Sequence, residues 1–191
     1  MDTLRFLSAA LSEIGQYCIF AKKKVGAPIQ IFYSSVGEAL DAANKLDADG
    51  YDTYFALATF KDTTIPKPRE ATNALELRAF FLDLDCGEAK EYPTQALALR
   101  DLQRFCKELS LPKPTLVSSG RGIHAYWMLD TPISPEKWLP VATSLKQLCV
   151  QHELKADPTV TADAARILRI PGTHNYKDDP ANEVVVLGEE I

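Results

Sequence analysis

Three short segments hold residue types suited to metal and phosphate chemistry. The first is Phe80-Phe81-Leu82-Asp83-Leu84-Asp85-Cys86-Gly87, with two carboxylates two residues apart at the end of an apolar run. On a strand, side chains at that spacing point to the same face. Two adjacent carboxylates repel, and a divalent cation between them removes the repulsion; oxygen donors select Mg²⁺ or Mn²⁺. The plainer reading is a pair of solvated carboxylates where a strand runs out into a loop.

The second segment is Ser118-Ser119-Gly120-Arg121-Gly122-Ile123-His124-Ala125-Tyr126-Trp127, a glycine turn between two strand-like runs. Glycines let backbone N–H groups turn toward an anion, and Ser119 and Arg121 add donors. In the strand that follows, His124 and Tyr126 share one face while Ile123, Ala125 and Trp127 take the other. The latter is the core face, so His124 is expected to point away from the core; a plain hairpin with a chance histidine is the simpler alternative. The third segment runs from Asp157 to Lys177 and combines Asp157 and Asp163 with Arg166, Arg169, Lys177 and a Pro171-Gly172 turn. Cations so closely spaced in an acidic chain call for an anion such as a triphosphate, unless Asp163, Asp178 or Asp179 neutralise them in surface pairs. Together the three segments describe a metal–nucleotide site.

The elements that must position these groups read as follows. A helix is predicted over 3–16, with Leu4, Leu7, Leu11 and Ile14 as its apolar stripe, then strands over 17–21 and 29–34 and a helix over 36–46. Tyr51 to Phe60 reads as one buried strand, followed by a polar, mobile loop from Lys61 to Asn73. The strand over 77–85 carries the paired carboxylates. A helix starting near Pro93 presents Leu99, Leu102, Phe105, Cys106 and Leu109, and strands over 115–119 and 123–129 flank the glycine turn. Ser134 caps a helix with Trp138, Val141, Leu145 and Leu148 on one face; 157–177 reads as irregular, and 183–187 as a last strand. Hairpins without regular βαβ alternation predict an α+β fold, an antiparallel or mixed sheet covered by helices.

Composition bounds the function. The chain has 191 residues, 46% apolar and 25% charged, which supports a folded core and excludes a disordered or collagen-like chain. Its 21 Lys and Arg against 26 Asp and Glu give a net charge of −5, so a uniformly basic nucleic-acid-binding surface is excluded and any phosphate site must be a local concentration of cations. The apolar runs are too short to span a bilayer and Met1-Asp2-Thr3 opens no signal peptide, so a cytoplasmic location without membrane attachment is expected. Four scattered cysteines (Cys18, Cys86, Cys106, Cys149) with no CxxC pair predict buried reduced thiols, not a disulfide framework or zinc ribbon.

The three segments, in this order, resemble the motifs of the archaeo-eukaryotic primase superfamily: DxD, then SxGxGxH, then an Asp followed by arginines. With Arg166-Ile167-Leu168-Arg169-Ile170-Pro171-Gly172-Thr173-His174-Asn175 after Asp157, the chain is most similar to the primase-polymerase and RepB-like primase domains of phages and mobile elements. The resemblance runs from about Tyr51 to Lys177. It implies a primase catalytic core over 1–191, an RRM-like sheet joined to an N-terminal αβ part of about 1–50, with the motifs within 77–177. The end of the chain, Leu187 to Ile191, comes directly after a strand, which suits a piece of a longer replication protein.

The resemblance further implies template-directed nucleotide polymerisation, as DNA primase or DNA polymerase, on a single-stranded DNA template with dNTPs or NTPs and two Mg²⁺ or Mn²⁺ ions. By position, Asp83, Asp85 and Asp157 are the metal ligands and catalytic carboxylates, with Asp157 preferred to Asp163 by its distance from the arginines. Ser119, Gly120, Gly122 and His124 match the nucleotide-binding second motif, in which the serine and histidine hold phosphates. Arg166 and Arg169 match the arginines of the third, and Arg121 and Lys177 join them as nucleotide-binding cations. The cysteine-rich zinc insert of many relatives is missing, which weakens the expectation of priming relative to extension, and a helicase domain or protein is an expected partner. Competing readings are a DxD nucleotide-sugar glycosyltransferase and a non-catalytic nucleotide or single-strand binding module of a replication initiator. Template contacts are expected from Lys61, Lys67 and Arg69 or from Lys22, Lys23 and Lys24, and a sugar gate from Tyr54, Phe55 or Tyr126.

Overall fold

The computed structural model describes residues 1–188. Asp2 caps helix α1 (Thr3–Ala10) by accepting the Arg5 N–H at 2.8 Å. The helix is shorter than its apolar spacing suggests. Leu11 is already extended, and Leu4 and Ile14 are exposed while Phe6, Leu7, Ala10 and Leu11 are buried. Ser12 stops it locally: its hydroxyl donates to Glu76 and accepts the Ile14 N–H, so the side chain holds the non-helical backbone in place.

Strands β1 (Tyr17–Lys22) and β2 (Ile29–Tyr33) form a hairpin, followed by helix α2 (Val36–Ala48), which Ser35 caps. The apolar run from Tyr51 to Phe60 is two strands and not one. Strand β3 (Asp52–Ala56) pairs with β1, and β4 (Ala58–Phe60) pairs with β5 (Ala74–Leu84) in another sheet. Leu57 marks the crossing, its N–H bound to the Arg166 carbonyl instead of to a neighbouring strand. Apolar runs carry no period that distinguishes a straight strand from one that changes sheets.

After helix α3 (Gln95–Glu108), capped by Thr94, come β6 (Thr115–Ser118), β7 (Ile123–Ile133) and helix α4 (Pro135–Gln151). The segment expected to be irregular contains β8 (Ile167–Arg169) and β9 (His174–Asn175), and the expected last strand divides into β10 (Asn182–Glu183) and β11 (Val185–Val186). Among the described residues one sheet runs β2-β1-β3-β8, a second β11-β6-β7-β5-β4, and β9 pairs with β10. Every named pairing is antiparallel, and the α+β expectation holds. The reading of the chain end falls partly on residues 189–191, outside the described residues.

The five-stranded sheet is buried on both faces. Phe81 and Tyr126 join a core with Phe6, Phe55, Phe60 and Trp138; Leu82, Leu84, Ile123 and Ala125 join another with Leu102 and Phe105. The face of β7 that carries His124 and Tyr126 is therefore also a core face, which corrects the expectation that His124 turns away from the core. In α4 the buried stripe is Trp138, Ala142, Leu145 and Cys149, whereas Val141 is exposed. The loop 61–73 is pinned: the buried Asn73 side chain donates to the carbonyls of Asp62 and Pro68 and accepts the Asp62 N–H. All four cysteines are free thiols, and no helix of the described residues is long and apolar enough to cross a membrane.

Candidate active site

The antiparallel pairing of β5 and β7 sets Asp83 opposite His124 and Leu84 opposite Ile123, so the first two motifs meet at one sheet end. The β6–β7 turn closes on itself. Ser119 N–H donates to the Gly122 carbonyl at 2.9 Å, and Gly122 N–H donates to Ser119 Oγ at 3.1 Å. Its glycines are required by contact and conformation. Gly120 has φ +87°, and a Cβ there would lie 2.8 Å from Asn175 Cβ. A Cβ on Gly122 would come within 2.5 Å of the Leu84 carbonyl oxygen, the peptide between the two aspartates. Gly122→Ala is therefore expected to push β7 away from the end of β5 and destabilise the protein by about 1–3 kcal/mol, checked by urea unfolding against wild type.

The third segment is attached by backbone and side chain. Asp157 N–H donates to the Asp83 carbonyl at 2.8 Å, placing the third carboxylate beside the first, while Asp157 Oδ1 accepts both N–H and Oγ–H of Thr159. Arg166 Nη2 stands 3.9 Å from Asp157 Oδ2. Strand β8 pairs with β3, bringing Arg169 across from Tyr54, with its guanidinium 4.8 Å from the ring centroid and Nη1 donating to Asp52 at 2.7 Å. The following turn is tied down by His174 and Tyr176, which bond to Asp47 and Asp52, and by Asn175, whose amide donates to the Ser119 carbonyl at 2.8 Å.

These segments line one cleft of about 490 Å³. Asp83, Asp85 and Asp157, Ser119, Arg121, Gly122 and His124, and Arg166, Arg169 and Lys177 all line it; Gly120 and Asp163 do not. Lys22 and Tyr54 complete one wall. Phe55 and Tyr126 are fully buried in the core, which removes them as sugar gates and leaves Tyr54. Of the other basic candidates, Lys23 sits over the Tyr51 ring, Lys67 pairs with Glu70, and Arg69 bonds to Gln30 and the Ala165 carbonyl; Lys24 and Lys61 are not among the lining residues. Arg121 is held by a two-pronged pair with Asp178.

The electrostatics follow from burial and like charges. Burial, then Asp85 and Asp157, push Asp83 up to about 7, against the pull of Arg166 and Lys177. Burial, with help from Arg169, holds His124 down at about 3, so its imidazole is neutral near pH 7. The Tyr126 hydroxyl lies 3.2 Å from His124 Nδ1, and burial keeps that phenol protonated. In the tautomer where Tyr126 donates to Nδ1, the imidazole proton sits on Nε2, which faces Asp83 at 3.8 Å. Lys177 is lowered by burial and by Arg169 and Lys22. Two buried nitrogens, Arg166 Nε and Arg169 Nη2, have no hydrogen-bond partner.

Sequence reasoning missed Asp47 and Asp52 as supports, because no local pattern links them to the motifs, and it gave no supporting role to Tyr126 and Asn175, which lie within the motif segments. It also missed Lys90, whose ammonium lies 2.7 Å from Asp85. Among the described residues no three His, Cys, Asp or Glu side chains stand close enough to hold a metal as they are. Asp85 is turned to Lys90 and one Asp157 oxygen to Thr159. The donor set nonetheless fits hard divalent cations: three carboxylates, of which Asp85 and Asp157 add to burial in raising Asp83.

No family model matches the chain. A replication protein of Clostridium perfringens is 34% identical over 137 residues, covering 69% of this chain and 31% of that protein, so the chain spans about a third of this relative's length. The primase-polymerase domain of cyanophage S-2L superposes with a TM-score of 0.65 at 16% identity, over 99% of this chain and 90% of that one. Primase RepB′ superposes with a TM-score of 0.58 at 17% identity, over 98% of this chain and 56% of that one. Its catalytic domain, in a complex with initiator DNA, gives 0.57 at 15% identity over 97% and 84%. These matches cover nearly the whole chain, including the N-terminal αβ part and the strands on which the cleft is built, and the chain therefore has the catalytic-domain fold of the archaeo-eukaryotic primase-polymerases.

Proposed function

We propose that this chain is a template-directed nucleotidyltransferase that joins nucleoside triphosphates on a single-stranded DNA template. The observation that carries the reading is that one cleft is lined by three carboxylates, Asp83, Asp85 and Asp157, together with a cationic wall of Arg166, Arg169, Lys177 and Lys22. Unpartnered buried guanidinium nitrogens on that wall are costly unless an anion joins them, and a triphosphate supplies the acceptors.

In this reading Asp83, Asp85 and Asp157 hold two Mg²⁺ or Mn²⁺ ions, which lower the pKa of the attacking hydroxyl and neutralise charge on the phosphates when bound. Arg166, Arg169 and Lys177 gather the triphosphate, and the Nε2–H of the neutral His124 donates to one of its oxygens. Tyr54, with the Arg169 guanidinium and the Lys22 ammonium near its ring, lines the cleft where the sugar or base would lie. Most of the acceleration comes from fixed position and preset charge. His124→Gln is expected to raise the KM for nucleotide about tenfold with a smaller effect on kcat. Because His124 stays neutral down to about 3, the acidic limb of its pH–rate profile should coincide with that of wild type. A limb displaced by the substitution would assign that titration to His124.

The test is incorporation of labelled nucleotides on single-stranded DNA, with and without a primer, in Mg²⁺, in Mn²⁺ and in chelator. Metal-dependent product supports the reading, and product without primer extends it to priming. Nucleotide binding without incorporation identifies a non-catalytic initiator module, and UDP-sugar binding in preference to triphosphate identifies a glycosyltransferase. A helicase partner belongs to the same proposal, tested by co-purification with the longer protein.

A further inference from the structure

We propose that the acceptor end of the growing strand, the nucleotide that supplies the attacking 3′-hydroxyl, occupies a second groove on the far side of the carboxylates from the triphosphate. The inference rests on the nucleotidyltransferase reading and locates a strand that the reading leaves unplaced. The second groove, about 820 Å³, is larger than the nucleotide cleft and adjoins it: both are lined by Asp85, Ala89, Lys90 and Asp157. It lies within the roughly 300–1,000 Å³ that ligand clefts occupy.

In nucleotidyl transfer the 3′-oxygen bonds to the α-phosphorus as the bond from that phosphorus to the β-phosphate oxygen breaks. Pyrophosphate departs and the hydroxyl proton passes to water. The attacking and leaving oxygens lie roughly in line across the phosphorus, so acceptor and pyrophosphate approach from opposite sides. Arg166, Arg169 and Lys177 line only the nucleotide cleft, which fixes the pyrophosphate side. Apart from the shared Asp85, Ala89, Lys90 and Asp157, the groove is lined by Glu91, by the C-terminal half of α4 and by residues within 153–161, none of which lines the cleft.

Its lining suits one strand end. Its three ammonium groups, Lys90, Lys146 and Lys155, face four carboxylates, Asp85, Glu91, Glu153 and Asp157, so its formal charge is close to balanced, at −1. That balance fits an acceptor held chiefly by pairing to a template, with the groove correcting its position. Val150, 71% exposed, offers an apolar surface to sugar and base. The wall at Lys90 stands on a fixed base: Tyr92 is buried, donates its hydroxyl hydrogen to Asp101 and accepts the Lys155 N–H at 3.0 Å.

Two measurements test the placement. Lys146→Glu combined with Lys155→Glu changes two side chains outside the core, and its Tm should match wild type. With saturating nucleotide, the KM for primed template should rise about tenfold and the salt dependence should flatten, while the KM for nucleotide stays unchanged. An unchanged KM for primed template overturns the placement. The second measurement does not require turnover: a template-annealed primer ending in 4-thiothymidine is irradiated with wild-type protein and the adduct is mapped. Adducts within residues 146–161 support the groove. Adducts elsewhere, no adduct, or adducts in the groove only from thiothymidine on the template strand overturn it. Groove adducts without any incorporation sink the polymerase reading alone, whereas incorporation with adducts elsewhere sinks the groove alone.

Discussion

Asp83→Asn is expected to abolish incorporation, by at least about 10²–10³-fold, while raising the Tm of the metal-free protein at pH 8. The two effects share one cause. Burial and the neighbouring Asp85 and Asp157 lift the Asp83 carboxyl from its ordinary 3.8 to about 7, so folding disfavours its ionised form. A carboxyl raised in the folded state costs nothing at pH values below the unfolded value. The penalty grows as pH rises from about 4 to 7 and is complete above 7, where it is at most about 4 kcal/mol. Asparagine keeps the shape without the charge, so the variant should gain several degrees at pH 8 and lose that advantage at pH values below about 4. Added Mn²⁺ should raise the wild-type Tm and leave the variant's nearly unchanged. Calorimetry at two pH values, with and without Mn²⁺, checks the expectation. A variant that is less stable than wild type at pH 8 would show that the acidic cluster carries no strain to relieve.

Asp52→Ala is expected to cost about 3–5 kcal/mol, the largest stability effect expected of a single change near the cleft. Asp52 and Arg169 form an ion pair with side chains only 9% and 5% exposed, and Asp52 also accepts the Tyr176 N–H at 2.9 Å. Without the carboxylate, a guanidinium whose Nη2 already has no partner would be left buried and uncompensated. The damage should spread to the cleft, because Arg169 pairs across to Tyr54 and the Tyr176 bond holds the turn that follows. The double variant Asp52→Ala with Arg169→Met removes both charges and should recover most of the lost stability without recovering nucleotide affinity. Urea unfolding with nucleotide titration checks both halves. A loss of less than about 1 kcal/mol in Asp52→Ala would show that Arg169 finds solvent or another acceptor.

The cleft's lining was legible in the sequence to the extent that each part is local. Two aspartates at strand spacing share a face whatever the fold, and a glycine turn between two strand runs predicts a hairpin that carries its serine and histidine together. The α+β class was legible for the same reason, since helix and strand periods are short-range properties. Element ends were less so: Ser12 stops α1 through a side-chain bond to Glu76, a partner 64 residues away. The split of Tyr51 to Phe60 into two sheets depends on the Arg166 carbonyl, which no pattern within that run announces.

By itself the sequence determined which chemical groups the protein possesses and in what local order: three carboxylates, a glycine turn with a histidine, and a cluster of cations. The tertiary structure decided which of them meet. It chose Asp157 over Asp163 for the cleft, buried Phe55 and Tyr126, and enclosed His124 in a second core face that holds it neutral. It also joined Arg169 to an aspartate 117 residues distant and set Lys90 on Asp85. The physical reason is that strand period and turn chemistry act over a few residues, whereas burial, ion pairing and pKa depend on groups that only the packing of two sheets brings within a few ångströms.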